Sequence, residues 1–199
     1  LSITTTALGT ASDAIETRVG TLSLNVGSGG AYVAEYDALT LSSASVAGVL
    51  NLSTGGALTV TSATAGNTSL TAAGATQINS LTSTGNVSLT ATGNTAITAL
   101  SAAGTVDLTI TGDAAITSLS AASSVSVTVS GAHTLALGSL SAMNSDSVGQ
   151  SVTLNVASGT ITDGHSEDAA GADGTDITAG SLSITTTALG TASDAIETR

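Results

Sequence analysis

The chain contains no proline, no cysteine, no tryptophan and no phenylalanine, and its only basic residues are two arginines, Arg18 and Arg199. Each absence removes a class of answers. Without cysteine there are no disulfides and no thiolate metal site. With almost no basic surface there is nothing to neutralise phosphates, so nucleic acid is not expected as a partner, and an anionic membrane surface would repel a chain of net charge −12. No apolar run approaches the roughly 20 residues that span a bilayer, so no membrane insertion is expected in this segment. The aromatics are limited to Tyr32 and Tyr36, which denies the chain the bulky side chains that usually fill a wide globular core. A narrow interior layered with Leu, Ile, Val and Ala needs none.

What is present is repetition on two scales. Residues 81–99 and 100–118 carry the same pattern, with Leu89 and Ile97 matched by Leu108 and Ile116 (108 − 89 = 19). The frame extends to Leu52, Leu70 and Val127, and a second apolar series runs Val60, Ile78, Ile97, Ile116 and Leu135. A period this short marks stacked supersecondary units rather than domains. Within a unit, Val87-Ser-Leu89-Thr-Ala91 and Val106-Asp-Leu108-Thr-Ile110 alternate apolar with small or polar residues, the period of a strand with one buried face. Gly-Asn and Gly-Asp pairs punctuate the strand ends, where the chain is expected to turn or to visit positive φ. One such unit cannot bury its apolar side alone, whereas stacking in register makes a continuous core. The pattern predicts an all-β fold, a parallel β-solenoid with coils of about 19 residues, right-handed by the crossover rule.

The longer scale is exact. Residues 1–18 and 182–199 both read LSITTTALGTASDAIETR, an offset of 181 (182 − 1). Residues 1–181 are therefore expected to be one tandem unit of a continuous solenoid, and 182–199 the start of the next. First strands beginning at Leu22, Leu50, Thr68, Val87, Val106, Val125, Val152 and Leu182 give eight coils per unit, an advance of roughly 38 Å at the usual inter-strand spacing. Where the interval lengthens, three insertions are expected to leave the regular wall as loops: Gly27–Asp37, Ser141–Gln150 and Thr160–Gly180.

Two of these carry candidate chemistry. The third concentrates Asp163, His165, Glu167, Asp168, Asp173 and Asp176 between glycines. The five carboxylates are hard oxygen donors of the kind Ca²⁺ takes, about six to eight at a time. The spacing matches no defined calcium loop, and an acidic, solvated surface loop is the other reading. The first insertion holds Tyr32, Glu35, Tyr36 and Asp37, either a sugar- or partner-contacting loop or a loop pinned to the wall by its aromatics. Catalysis is not expected. The two histidines lie apart, His133 is placed in a strand, and Asp107 and Asp113 share one coil, with Asp113 at the turn position of Asn94. Outward rows of Thr71, Thr90, Thr109 and Thr128, flanked by Thr92, Thr111 and Ser130, suit an ice-binding solenoid as a remote alternative, or reflect only that Thr is a good soluble strand former.

The Gly-Asn-x-x-Leu-Thr-x-x-Gly-Asn run from Gly85 to Asn94, the 19-residue coil and the lack of cysteine resemble the repetitive β-helical regions of large bacterial secreted adhesins, the filamentous-haemagglutinin-like proteins. The near absence of basic residues departs from many of them. The resemblance implies a bacterial extracellular or cell-surface location and a mechanical role in a rod, filament or surface layer. The partners would be further copies of the repeat in tandem, with lateral self-association of rods. The alternative is an adhesin whose inserted loops bind a glycan or another cell.

Overall fold

The structure, a computed structural model, describes residues 1–164, 175–191 and 195–199. It is a parallel β-solenoid of about seven turns, built from strands that pair with the equivalent strand about 19 residues away. Every paired strand ladder is parallel, and no helix occurs among the described residues.

One regular coil shows how the sequence makes the shape. Val87–Ala91 forms the first side, Thr95–Ile97 the second and Leu100–Ala102 the third. Along each side the residues alternate buried and exposed, so Val87, Leu89, Ala91, Ile97, Leu100 and Ala102 point inward while Ser88, Thr90 and Ser101 face solvent. The next coil repeats this in register. Leu89 pairs with Leu108 and Leu70, Ile97 with Ile116 and Ile78, and Leu100 with Leu119 and Leu81. Each inward position therefore becomes an axial column of branched aliphatic side chains, a shape that leaves an interior only one layer thick and no place for large rings.

The corners depend on glycine for a reason other than the expected positive φ. Among the described residues only Gly9, Gly131, Gly190 and Ser147 have positive φ. Gly93 and Gly112 are instead required by close approach, since a Cβ on Gly93 would lie 2.7 Å from Ala75 N and one on Gly112 2.6 Å from Asn94 N of the coil below. Asparagines that follow the corner glycines Gly66, Gly85 and Gly93 cap the next coil. Asn86 Oδ1 accepts from Thr105 N at 2.9 Å, Asn67 Oδ1 from Asn86 N at 2.8 Å, and Asn94 Oδ1 from Asp113 N at 3.1 Å. These side chains satisfy corner N–H groups that no ladder reaches.

Three expectations about the frame are corrected. Leu22–Val26 is not a first-side strand: Leu22 pairs with Leu41 on the second side, and Leu24 and Val26 with Ala44 and Val46 on the third. The first-side strand of that coil is Ala31–Glu35, which pairs with Leu50–Thr54. Gly27–Asp37 is therefore no insertion. The inward glutamate at position 35 breaks the apolar alternation that identifies the other coils. The second-side column continues from Ile116 to Leu137 rather than Leu135, which pairs with Ala114. The remaining excursions are shorter than their sequence intervals. Thr134–Ala142 and Ser151–Asp163 continue through the ends of both, so the first narrows to 143–150 and the second to the stretch between Asp163 and Asp176.

Candidate functional site

Of the five candidate metal ligands, Glu167, Asp168 and Asp173 lie outside the described residues, as does His165. The other two stand at the base of the loop. Asp163 closes the second-side strand and pairs opposite Leu137, so its side chain is inward and buried. Asp176 immediately precedes Ile177 on the third side and is fully buried. Asp163 thus ends the second side and Asp176 precedes the third, and the corner between those sides brings the two carboxylates together. A third carboxylate joins them from the next coil, that of Glu197: one carboxylate oxygen from each of Asp163, Asp176 and Glu197 lies within 4.8 Å of the other two. Asp176 Oδ2 accepts from Glu197 N at 3.0 Å, and Ile177 N donates to Glu197 O at 3.0 Å, which fixes the glutamate above the pair. Three converging hard oxygens are the donor type that suits Ca²⁺. Glu197 was invisible in a reading that looked within the loop. The coil spacing is the signal that finds it, because 197 lies one turn beyond 176.

The second candidate cluster separates into two halves with different roles. Glu35 occupies an inward position and is buried. Its carboxylate accepts hydrogen bonds from Thr17 Oγ1 at 2.7 Å, from Val19 N at 3.0 Å and from Tyr36 N at 3.1 Å. Burial alone would push its pKa up, but the bonds from Thr17, Val19, Asp37 and Tyr36 outweigh it and hold the carboxyl below the usual range. Glu35 is therefore the anchor of the 17–19 corner. Tyr32 lies half-buried on the outer face of the strand, with its backbone N–H donating to Leu8 O at 2.8 Å. Tyr36 is 71% exposed. The Arg18 guanidinium lies 4.9 Å from its ring centroid, and Arg18 Nε donates to Asp37 Oδ2 at 3.2 Å. This solvated Arg–Tyr–Asp group presents one of the chain's two tyrosines to solvent, although so exposed an ion pair contributes little to stability.

His133 sits at a corner just before Thr134–Ala142, not within a strand. Its Nδ1 is 3.3 Å from Asp113 Oδ1, which also accepts from Thr134 N at 2.9 Å. The Thr134 N–H holds the Asp113 carboxyl below the usual carboxylate range, opposed by partial desolvation and aided by His133. Asp113 thus does for its corner what Asn94 does for the one below. Beside it, a shallow trough of about 610 Å³ runs along the second side, floored by the aligned methyls of Ala96, Ala115 and Ala136. The threonine rows are in register as expected, Thr71–Thr90–Thr109–Thr128 down the first side.

No helix among the described residues is long and apolar enough to cross a membrane. No family model matches this chain, and neither does any curated protein or solved structure.

Proposed function

We propose that this chain is a length of an extracellular bacterial rod, filament or surface layer, in which 181-residue units continue one another as a single solenoid and the role is mechanical. On this reading the solenoid winds right-handed with about eight coils to a unit. The observation that carries it is the exact recurrence of LSITTTALGTASDAIETR at an offset of 181, in a fold whose two ends are open strand edges. A strand edge is a template for further pairing, and the repeated segment supplies the next strand in the same chain. The closed wall fits the same role, since its columns are continuous and its ladder bonds run along the axis, the direction in which a rod is loaded.

The test uses the natural protein. Arg199 repeats Arg18, and no lysine intervenes, so a tandem array offers trypsin one position per unit. Denatured and digested, the array collapses to a dominant peptide of 181 residues beginning at Val19, whose abundance over the end peptides counts the units. Electron micrographs of the intact protein should show rods whose length rises with that count. A digest without the 181-residue peptide, or compact particles, would end the reading.

A second reading is favoured by one observation, the exposed Tyr36 backed by Arg18. There the rod itself binds a glycan at this face. Specific glycan-array binding that is lost in Tyr36→Ala and in Tyr32→Ala would select it.

A further inference from the structure

The repeated 18-residue segment is described in both copies, save for 192–194 of the second, and the strands that open the two copies are laid on different sides of the solenoid. In the first copy, Ser2–Thr5 lies on the third side, where Ser2, Ile3, Thr4 and Thr5 pair with Ser23, Leu24, Asn25 and Val26 of the following coil. In the second copy, the same residues fall within Ser181–Leu189 on the first side. There Ser183, Ile184, Thr185 and Thr186 pair with Thr153, Leu154, Asn155 and Val156 of the preceding coil. The local conformation hardly changes. Thr5 Oγ1 donates to Ala7 O at 3.0 Å and Thr186 Oγ1 to Ala188 O at 2.8 Å, while Gly9 and Gly190 have φ of 64° and 59°. From Ser2 to Gly9 the segment keeps its shape, and only its neighbours differ.

Those neighbours occupy opposite edges. The first copy shows the strand's partner downstream, and the second shows its partner upstream. Superposing the copies therefore completes both edges of one strand, with Leu154, Ile184 and the next unit's Leu24 in one column and Val156, Thr186 and the next Val26 in another. The two flanking strands share the triplet Leu-Asn-Val, at 24–26 and 154–156. A second seam agrees: Leu189 pairs with Ile161 on the second side, and its counterpart Leu8 bridges to Ala31 on the first. Among the described residues Ser181–Leu189 is paired on one edge only, and Leu182 and Leu189 are among the few large apolar residues left exposed.

We infer that the open edge of Ser181–Leu189 receives the Thr21–Val26 strand of the following unit, and that each unit is consequently turned by one side, about a third of a revolution, relative to the one before. The inference rests on the tandem reading above. First-side strands of one unit continue into third-side strands of the next, and second-side into first-side. Equivalent loops, including 143–150, then face three directions in succession and return every third unit. On the remaining side the two placements conflict. Thr198 bridges to Ile177, whereas its counterpart Thr17 pairs with Glu35. In the joined rod it is the Thr198 placement that gives way, and with it that of Glu197 over Asp163 and Asp176, because the seam requires the chain to proceed as it does after Thr17.

The chain has no cysteine, so introduced pairs are unambiguous, and neighbouring strands about 4.8 Å apart fall within disulfide range. In a protein of two consecutive units, outward-facing Thr185→Cys is paired in turn with Asn155→Cys, with Asn25→Cys of the second unit, and with Thr178→Cys. Thr90→Cys with Thr109→Cys, adjacent within one unit, is the control. The inference expects the free-thiol titre of the unfolded, oxidised protein to fall from two to none for the first two pairs and the control, and to stay at two for Thr178. Oxidation with Thr178 instead of Asn155 overturns the rotation and leaves the tandem rod intact. Closure of the control and the Asn155 pair, without the second-unit pair, means that consecutive units do not form one solenoid, which overturns the tandem reading and the inference with it.

Discussion

Leu89 stands directly opposite Leu108 on the next coil, with Leu70 on its other side and Val127 beyond, and both leucines are 1% exposed. The column is dry and one residue wide, so a deleted side chain leaves a gap that neighbours above and below can fill only by breaking register. Leu108→Ala should cost about 2–5 kcal/mol. Leu108→Asp, which places an unpaired charge there, should abolish the cooperative transition followed by circular dichroism on melting. An unchanged melt for the aspartate variant would mean the column is not where it is placed.

Gly93 and Gly20 make a matched pair. Neither has positive φ, yet a Cβ on Gly93 meets backbone atoms of the coil below at 2.7 and 2.8 Å, while one on Gly20 meets nothing within 4 Å. Gly93→Ala should cost about 1–3 kcal/mol through forced separation of two coils. Gly20→Ala should be neutral or stabilise by about 0.5 kcal/mol by restricting the unfolded chain. Denaturant midpoints of the two variants check this, and equal effects would refute the close-approach account.

Glu35 links stability to pH. Its folded pKa is lowered from the ordinary value of 4.5, so its contribution is fully present above that value and is lost as pH falls through it toward the lower folded pKa. Protonation removes an acceptor from the Thr17 hydroxyl and the Val19 N–H. Glu35→Gln should lower stability near neutral pH by about 1–3 kcal/mol, the cost of weakened bonds in a buried site. The gap between the two proteins should narrow as the pH drops below 4.5. Denaturation curves from pH 7 to 3 read this directly; a constant gap would show that the carboxylate is not the origin.

Thr68 lies in the first-side column between Leu50 and Val87, and its buried hydroxyl has no hydrogen-bond partner. Valine has the same branching and removes the unsatisfied group. Thr68→Val should raise stability by about 1 kcal/mol, seen as a higher melting temperature. A fall would indicate that the hydroxyl is satisfied in solution.

The sequence by itself determined the class of fold, the coil length and the inward columns, because each coil repeats one pattern of alternation and the repeat places like on like. Leu52, Leu70, Leu89, Leu108 and Val127 could be read as one column from spacing alone. It was misleading wherever an inward position carries a polar residue or a small insertion shifts the count. Glu35 and Thr54 sit inside the first side, yet in the sequence an inward glutamate is indistinguishable from a loop carboxylate, and so the strand Ala31–Glu35 read as an insertion. Leu137 replaced Leu135 because alternation is blind to a shift of two residues, which preserves the face and changes the neighbour. The meeting of Asp163, Asp176 and Glu197 was decided by the tertiary structure, since it depends on the corner at which the loop leaves and on the coil that covers it. So was the side on which each copy of LSITTTALGTASDAIETR begins: the conformation of its first nine residues is the same in both copies, but the partner strand at each edge is supplied by the coil stacked beside it.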